Sequence, residues 1–202
     1  MAAAMCEPAF ERGDALIVVD VQNDFLPGGA LAVPRGDEVI EPVNRLLRRL
    51  ARLHLPIFAT RDWHPPTHCS FREQGGPWPP HCIAGTHGAE FPVALKLPAD
   101  AQVISKATRP EADTYSDFDG TDLAQRLHDA GCRRVFVAGV ATEYCVRATV
   151  LDARAAGFEV VVLEDAVRAL EVHVGDEARA LGEMRAAGAR IARSNELPDR
   201  KA

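Results

Sequence analysis

Six short apolar runs rich in β-branched residues recur along the chain, at 15–20 (ALIVVD), 56–60 (PIFAT), 102–105 (QVIS), 134–139 (RVFVAG), 159–163 (EVVVL) and 189–192 (ARIA). Their continuous apolar character predicts strands buried on both faces, as in a parallel sheet. Amphipathic stretches between them predict helices over about 37–53, 121–130, 142–156 and 176–187. Three of these end in a glycine (Gly131, Gly157, Gly188), the residue that best tolerates a left-handed C-cap, and a strand follows each within a few residues. This rhythm predicts a three-layer, doubly wound α/β fold in one domain spanning 1–202, with 1–13 and 195–202 read as tails.

The segment 61–101 breaks the pattern. It holds seven of the fourteen prolines, both tryptophans (Trp63, Trp78) and four of the seven histidines (His64, His68, His81, His87). A long connection without periodicity is either functional or disordered, and clustered Trp and His favour an ordered active-site loop.

In open α/β sheets ligands bind beyond the carboxyl ends of the strands. Asp20 ends the first run, Arg61-Asp62-Trp63-His64 follows the second, Ser105-Lys106 ends the third, and the fourth leads into Cys145. With Thr142 as N-cap, Cys145 falls in a first helical turn, where free N–H groups and the macrodipole favour a thiolate. Asp20 then reads as a general base, or as a plain turn cap. Lys106 reads as a cation that stabilises charge near Asp20 and Cys145, or as a surface lysine.

Asp62 and His64 lie two apart on an extended segment and so point alike. With His81 they form a carboxylate–imidazole set that leaves coordination positions open, as catalytic metal sites do. The His68-Cys69 and His81-Cys82 pairs offer a structural zinc instead, although no Cys-x-x-Cys spacing supports it. His68 or Glu73 is a further ligand candidate. Phe25 and Trp78 are candidates for holding a flat ring.

Composition narrows the class. The chain has 202 residues, 47% hydrophobic and 26% charged, enough for a substantial core. A net charge of −6 without a basic run argues against nucleic acid, and the Arg45, Arg48, Arg49, Arg52 stripe reads as a solvated helix face. No run approaches a membrane span, and the first residues lack a signal-peptide pattern. Five cysteines (Cys6, Cys69, Cys82, Cys132, Cys145), an odd count, suggest reduced thiols and a cytoplasmic location.

Taken together, Val19-Asp20-Val21-Gln22-Asn23-Asp24-Phe25, Arg61-Asp62-Trp63-His64-Pro65, Gly76-Pro77-Trp78-Pro79-Pro80-His81-Cys82, Ser105-Lys106 and Gly139-Val140-Ala141-Thr142-Glu143-Tyr144-Cys145-Val146 span nearly the whole chain. The chain resembles the nicotinamidases of the isochorismatase-like cysteine hydrolase superfamily. The resemblance implies a six-stranded parallel sheet and a triad of Asp20, Lys106 and Cys145. It also implies one divalent ion (zinc, iron or manganese) on Asp62, His64 and His81, and a pyridine ring between Phe25 and Trp78. A cis Val140–Ala141 bond is implied, aiming the N–H groups of Ala141 and Cys145 at the substrate oxygen as an oxyanion hole. The expected reaction is hydrolysis of nicotinamide, and of pyrazinamide, with no nucleic-acid or membrane partner; homo-oligomerisation is left open. A metal-free amidase acting on another small amide or carbamoyl compound is the alternative, and a silent binding module the third reading.

Overall fold

A computed structural model describes residues 10–198; Cys6 and the outer parts of both expected tails lie outside them. Six strands form one sheet: β1 (Asp14–Val19), β2 (Ile57–Asp62), β3 (Gln102–Lys106), β4 (Arg134–Val140), β5 (Glu159–Arg168) and β6 (Arg190–Ala192). Every pairing is parallel, in the order β3-β2-β1-β4-β5-β6. The winding reverses between β1 and β4, the switch point at which α/β sheets open a ligand crevice.

Four α-helices complete the frame: α1 (Ile40–Arg52), α2 (Leu123–Asp129), α3 (Arg147–Ala155) and α4 (Asp176–Ala186). Strand alternation sorts the core into two clusters. Leu16 and Val18 of β1 join Phe136 and Ala138 of β4 beneath Val43, Leu46, Leu47 and Leu50 of α1. Ala15, Ile17 and Val19 face the other way, with Val135 and Val137, onto Leu127 of α2, Val150 and Ala153 of α3, and Met184 of α4. The sheet is therefore buried on both faces, which explains its unbroken apolar runs.

The three predicted glycine stops close in the same way. The N–H of Gly157 bonds Arg154 O (3.0 Å) and that of Phe158 bonds Ala153 O (3.0 Å), and Gly131 and Gly188 repeat the pattern, all with positive φ. This paired closure caps the last carbonyls and turns the chain into the next strand.

Three boundaries differ from expectation. A 3-10 turn over Gly36–Val39 precedes α1. β5 runs on to Arg168, because its register shifts so that Val137 pairs with Val162 but Gly139 with Val167. The polar Glu164 and Asp165 sit in that irregularity and interrupt the apolar pattern; Asp165 is satisfied by the N–H and hydroxyl of Ser194. The inner ends of the expected tails pack on the body: Phe10 (1% exposed) lies against Phe136, and Leu197 (4%) joins the same cluster. Arg49 covers the Phe10 ring and donates to Leu197 O (2.7 Å), which removes it from the solvated stripe. No helix among the described residues is long and apolar enough to cross a membrane.

Candidate active site

The carboxyl ends of β1 to β4 converge as their sequence suggests. Asp20 follows β1 in a left-handed conformation (φ 49°), which Asp tolerates better than most residues. Its N–H points to Thr60, and the Thr60 hydroxyl donates back to Asp20 Oδ1 at 3.0 Å. Lys106, fully buried at the end of β3, donates to Asp20 Oδ2 and to Asp62 Oδ1 (2.7 Å). One ammonium thus ties together the ends of β1 and β2. The surface-lysine alternative is incompatible with this burial.

Cys145 closes the group: its Sγ and carboxylate oxygens of Asp20 and Asp62 all lie within 4.8 Å of one another. It does not sit in the first turn of a regular helix capped by Thr142. A π turn, Thr142–Val146, precedes α3, and the Ala141 carbonyl accepts the N–H groups of Tyr144 (3.1 Å) and Val146 (3.2 Å). Such wide turns reposition a side chain at functional sites. The Thr142 hydroxyl instead donates to Glu177 (3.4 Å). The Val140–Ala141 peptide is cis. Immediately before it, Gly139 (φ 123°) passes so close to β1 that a Cβ would lie 2.0 Å from Val19 O, so only glycine fits. Among the described residues the Ala141 N–H has no acceptor.

Electrostatics correct the expectation of a resting thiolate. Burial pushes the Cys145 thiol well up, outweighing the lowering by Lys106, and the charge of Asp20 pushes it further. Burial also raises Asp20, against the pull of Lys106. Asp62 is held below the usual carboxylate range: Lys106 and His64 outweigh the cost of burial. Lys106, with Asp20 and Asp62 beside it, stays charged. The resting pair is therefore a thiol beside a carboxyl group primed to exchange a proton with it.

Asp62, His64 and His81 form a second group whose donor atoms lie within 4.8 Å of one another. His64 places Nδ1 3.3 Å from Ala107 O, and His81 places Nδ1 2.8 Å from Pro79 O. With Nδ1 so engaged, Nε2 of each ring is left to bind a cation. Burial lowers the His81 pKa and favours the neutral, ligating form. One carboxylate and two imidazoles, all buried, fit a divalent ion with open positions.

His68 stacks on His64 with ring centroids 4.1 Å apart, but its nitrogens face Ser70 Oγ (2.8 Å) and Ala112 O (3.3 Å). It supports the His64 ring and is not part of the cluster. Glu73 is exposed in a separate turn. Cys69 is a half-buried free thiol outside the group, so the structural-zinc pairing does not assemble. Cys82 and Cys132 are buried free thiols.

A narrow pocket leads to Cys145. Phe25 and Trp78 line it, with Leu31, Val33, Tyr115, Tyr144 and Leu170. Trp78 donates through Nε1 to Tyr115 Oη (3.0 Å) and meets Tyr144 edge-on at 5.2 Å. Tyr115 and Leu170 escaped the sequence reading because they come from segments with no pattern of their own, and Tyr144, although part of the motif before Cys145, gave no signal that it faces the pocket. Gln22 escaped it too. Its amide exchanges two 2.8 Å hydrogen bonds with the Asp62 backbone and donates to Ala89 O (2.9 Å), clamping the loop to the sheet edge. Its place inside the Asp20 motif was the only available signal.

The comparisons agree with this arrangement. Residues 14–196 match the isochorismatase domain model. The Escherichia coli nicotinamidase is 38% identical over 198 residues, covering 88% of this chain and 93% of that protein. The crystal structure of the Pyrococcus horikoshii pyrazinamidase in complex with zinc is 56% identical with a TM-score of 0.86, covering 90% of this chain and 99% of that one. The L. infantum PnC1 structure in complex with nicotinate is 40% identical with a TM-score of 0.89, covering 96% of this chain and 100% of that one. Matched along the whole length of its sheet and at the crevice where the winding reverses, the chain belongs to the isochorismatase-domain family.

Proposed function

We propose that this chain is a metal-dependent cysteine amidohydrolase that converts nicotinamide to nicotinate and ammonia, with Asp20, Lys106 and Cys145 as its catalytic residues. The carrying observation is the meeting of a buried thiol and a buried carboxyl group at the foot of a narrow pocket lined by Phe25, Trp78, Tyr115 and Tyr144. The nicotinate and zinc complexes of related proteins support the substrate and the ion. Pyrazinamide carries the same carboxamide on a ring of the same size and is a second substrate on this account.

Asp20 takes the Sγ proton as Cys145 attacks the carboxamide carbon. The oxyanion so formed is held by the N–H groups of Ala141 and Cys145; one such donor is worth about 3–4 kcal/mol of barrier. The C–N bond breaks, Asp20 returns its proton to the departing ammonia, and a thioester remains. Asp20 next takes a proton from water as its oxygen attacks the thioester carbonyl. The C–S bond breaks, and the thiolate recovers the proton from Asp20. Lys106 keeps Asp20 aimed throughout. Phe25, Trp78 and Tyr144 hold the ring, excluding bulk water from the sulfur.

Asp62, His64 and His81 would hold the divalent ion, zinc being our assignment. When bound, the ion supplies a Lewis-acidic contact for the ring nitrogen, directly or through a water. A metal-free amidase would have no use for this donor set.

The test is ammonia release from nicotinamide by the zinc-loaded protein and by Cys145→Ala. We expect loss of release in the variant with unchanged circular dichroism. Release at the wild-type rate would refute the cysteine mechanism.

A further inference from the structure

Asp117 takes no part in the mechanism above, yet it lies against the same lysine. It belongs to the segment between β3 and α2, and its side chain is completely buried. Neither carboxyl oxygen has a hydrogen bond among the described residues. The backbone, by contrast, is held on both sides: its N–H donates to Thr149 Oγ1 (3.0 Å), and its carbonyl accepts from the Thr121 hydroxyl. Native proteins rarely leave a buried carboxyl group without a hydrogen bond, so one delivered so firmly calls for a reason.

The groups facing it supply that reason. Lys106 Nζ lies 3.6 Å from Asp117 Oδ1, beyond a normal hydrogen bond, while its other contacts go to Asp20 and Asp62. The remaining groups acting on Asp117 are the Asp20 and Asp62 carboxylates and the Thr60 hydroxyl, which itself bonds Asp20. We infer that Asp117 is a positioning residue for the catalytic Asp20, acting from the third side of the Lys106 ammonium and controlling how firmly Lys106 holds Asp20.

This inference rests on the hydrolysis proposed above, in which Asp20 is the base. Burial first, and the Asp20 charge second, keep the Asp117 carboxyl group protonated well above the ordinary range. In that form it leaves Lys106 to Asp20 and Asp62. Once its proton is lost, a third carboxylate competes for one ammonium and negative charge accumulates beside Cys145, disfavouring the thiolate.

The experiment is iodoacetamide alkylation of Cys145 between pH 6 and pH 10 in zinc-loaded wild type and Asp117→Asn, read by mass spectrometry of the Cys145 peptide. Asn imitates the protonated carboxyl group and cannot ionise. The variant-to-wild-type rate ratio is expected to climb with pH, reaching about tenfold, the equivalent of one pKa unit. Superimposed profiles, or a ratio constant at every pH, overturn the inference. Should the Asn variant fail to fold, Asp117→Ser is read in the same way. A wild type that alkylates at Cys145 but releases no ammonia from nicotinamide defeats the proposed function while still deciding the role of Asp117.

Discussion

At the scale of the residue, the site depends on charges that water never reaches. Lys106, Asp20 and Asp62 are all buried and mutually paired. Removing one member of such a group strands the others, at a typical cost of 3–5 kcal/mol. Lys106→Met should therefore lower unfolding free energy by about 4 kcal/mol in urea and abolish ammonia release. A variant as stable as wild type would mean that the ion pairs do not form. The pH dependence follows from the shifts. Lys106 is raised, so its stabilisation is complete below about pH 10 and fades as pH rises through its folded pKa. Asp62 is lowered, so its stabilisation is complete above about pH 4 and fades as pH falls. Their joint contribution should form a plateau between those limits, read as the wild-type minus Lys106→Met difference across pH.

Much of this was legible at the residue scale and some was not. Asp20, Asp62, Lys106 and Cys145 announce themselves because each polar residue stops or follows an apolar run at the same edge. Thr60, Asp117 and Gln22 do not, because their partners are remote: Thr60 reaches across 40 positions to Asp20, and Gln22 across 67 to Ala89. The Cys145 thiol misled for another reason. The sequence offers a helix start and a lysine, both of which lower a thiol pKa, but the fold replaces the helix start with a π turn and adds burial that outweighs the lysine.

Among the elements, the strands were readable because burial on both faces writes them as uninterrupted apolar runs, and three of the four helices because glycine ends them. What escaped were departures from periodicity: the extended β5 with its polar interruption, and the π turn before α3. The long segment between β2 and β3 carries only two single-turn 3-10 helices, Arg72–Gln74 and His87–Ala89, so most of its order comes from individual bonds. Gln22→Ala would leave the Asp62 N–H and carbonyl and the Ala89 carbonyl without their partner, at about 1–3 kcal/mol for each buried group. We expect lowered stability together with weaker zinc binding, measured by competition with a chromophoric chelator. Unaltered zinc affinity would show that the loop holds its shape without this clamp. Gly139→Ala should be worse, since backbone oxygen blocks the added methyl group and cannot swing aside. Little folded protein is expected in the soluble fraction.

For the molecule as a whole, a resident ion links binding to stability. A ligand that binds only the folded state at 100 times its Kd adds about 2.7 kcal/mol. Saturating zinc should raise the melting temperature of the chelator-treated protein by several degrees, and His64→Ala should lose most of that response. An equal rise in the variant would place the zinc elsewhere. The two halves of the double winding were readable from the order of runs and helices, but the packing of Phe10 and Leu197 was not, since a single apolar residue in a polar stretch has no period to detect.

The pairing of β1 with β4 joins positions as far apart as Asp14 and Arg134, 120 residues along the chain. It is also the pairing that brings the Asp20 carboxyl group to the Cys145 sulfur. A slip of one residue between these strands would send side chains meant for one core cluster into the other and carry the carboxyl group away from the sulfur. Activity therefore acts as a proofreader of topology. Recovered turnover after denaturation should count only molecules in which β1 and β4 have found each other in register.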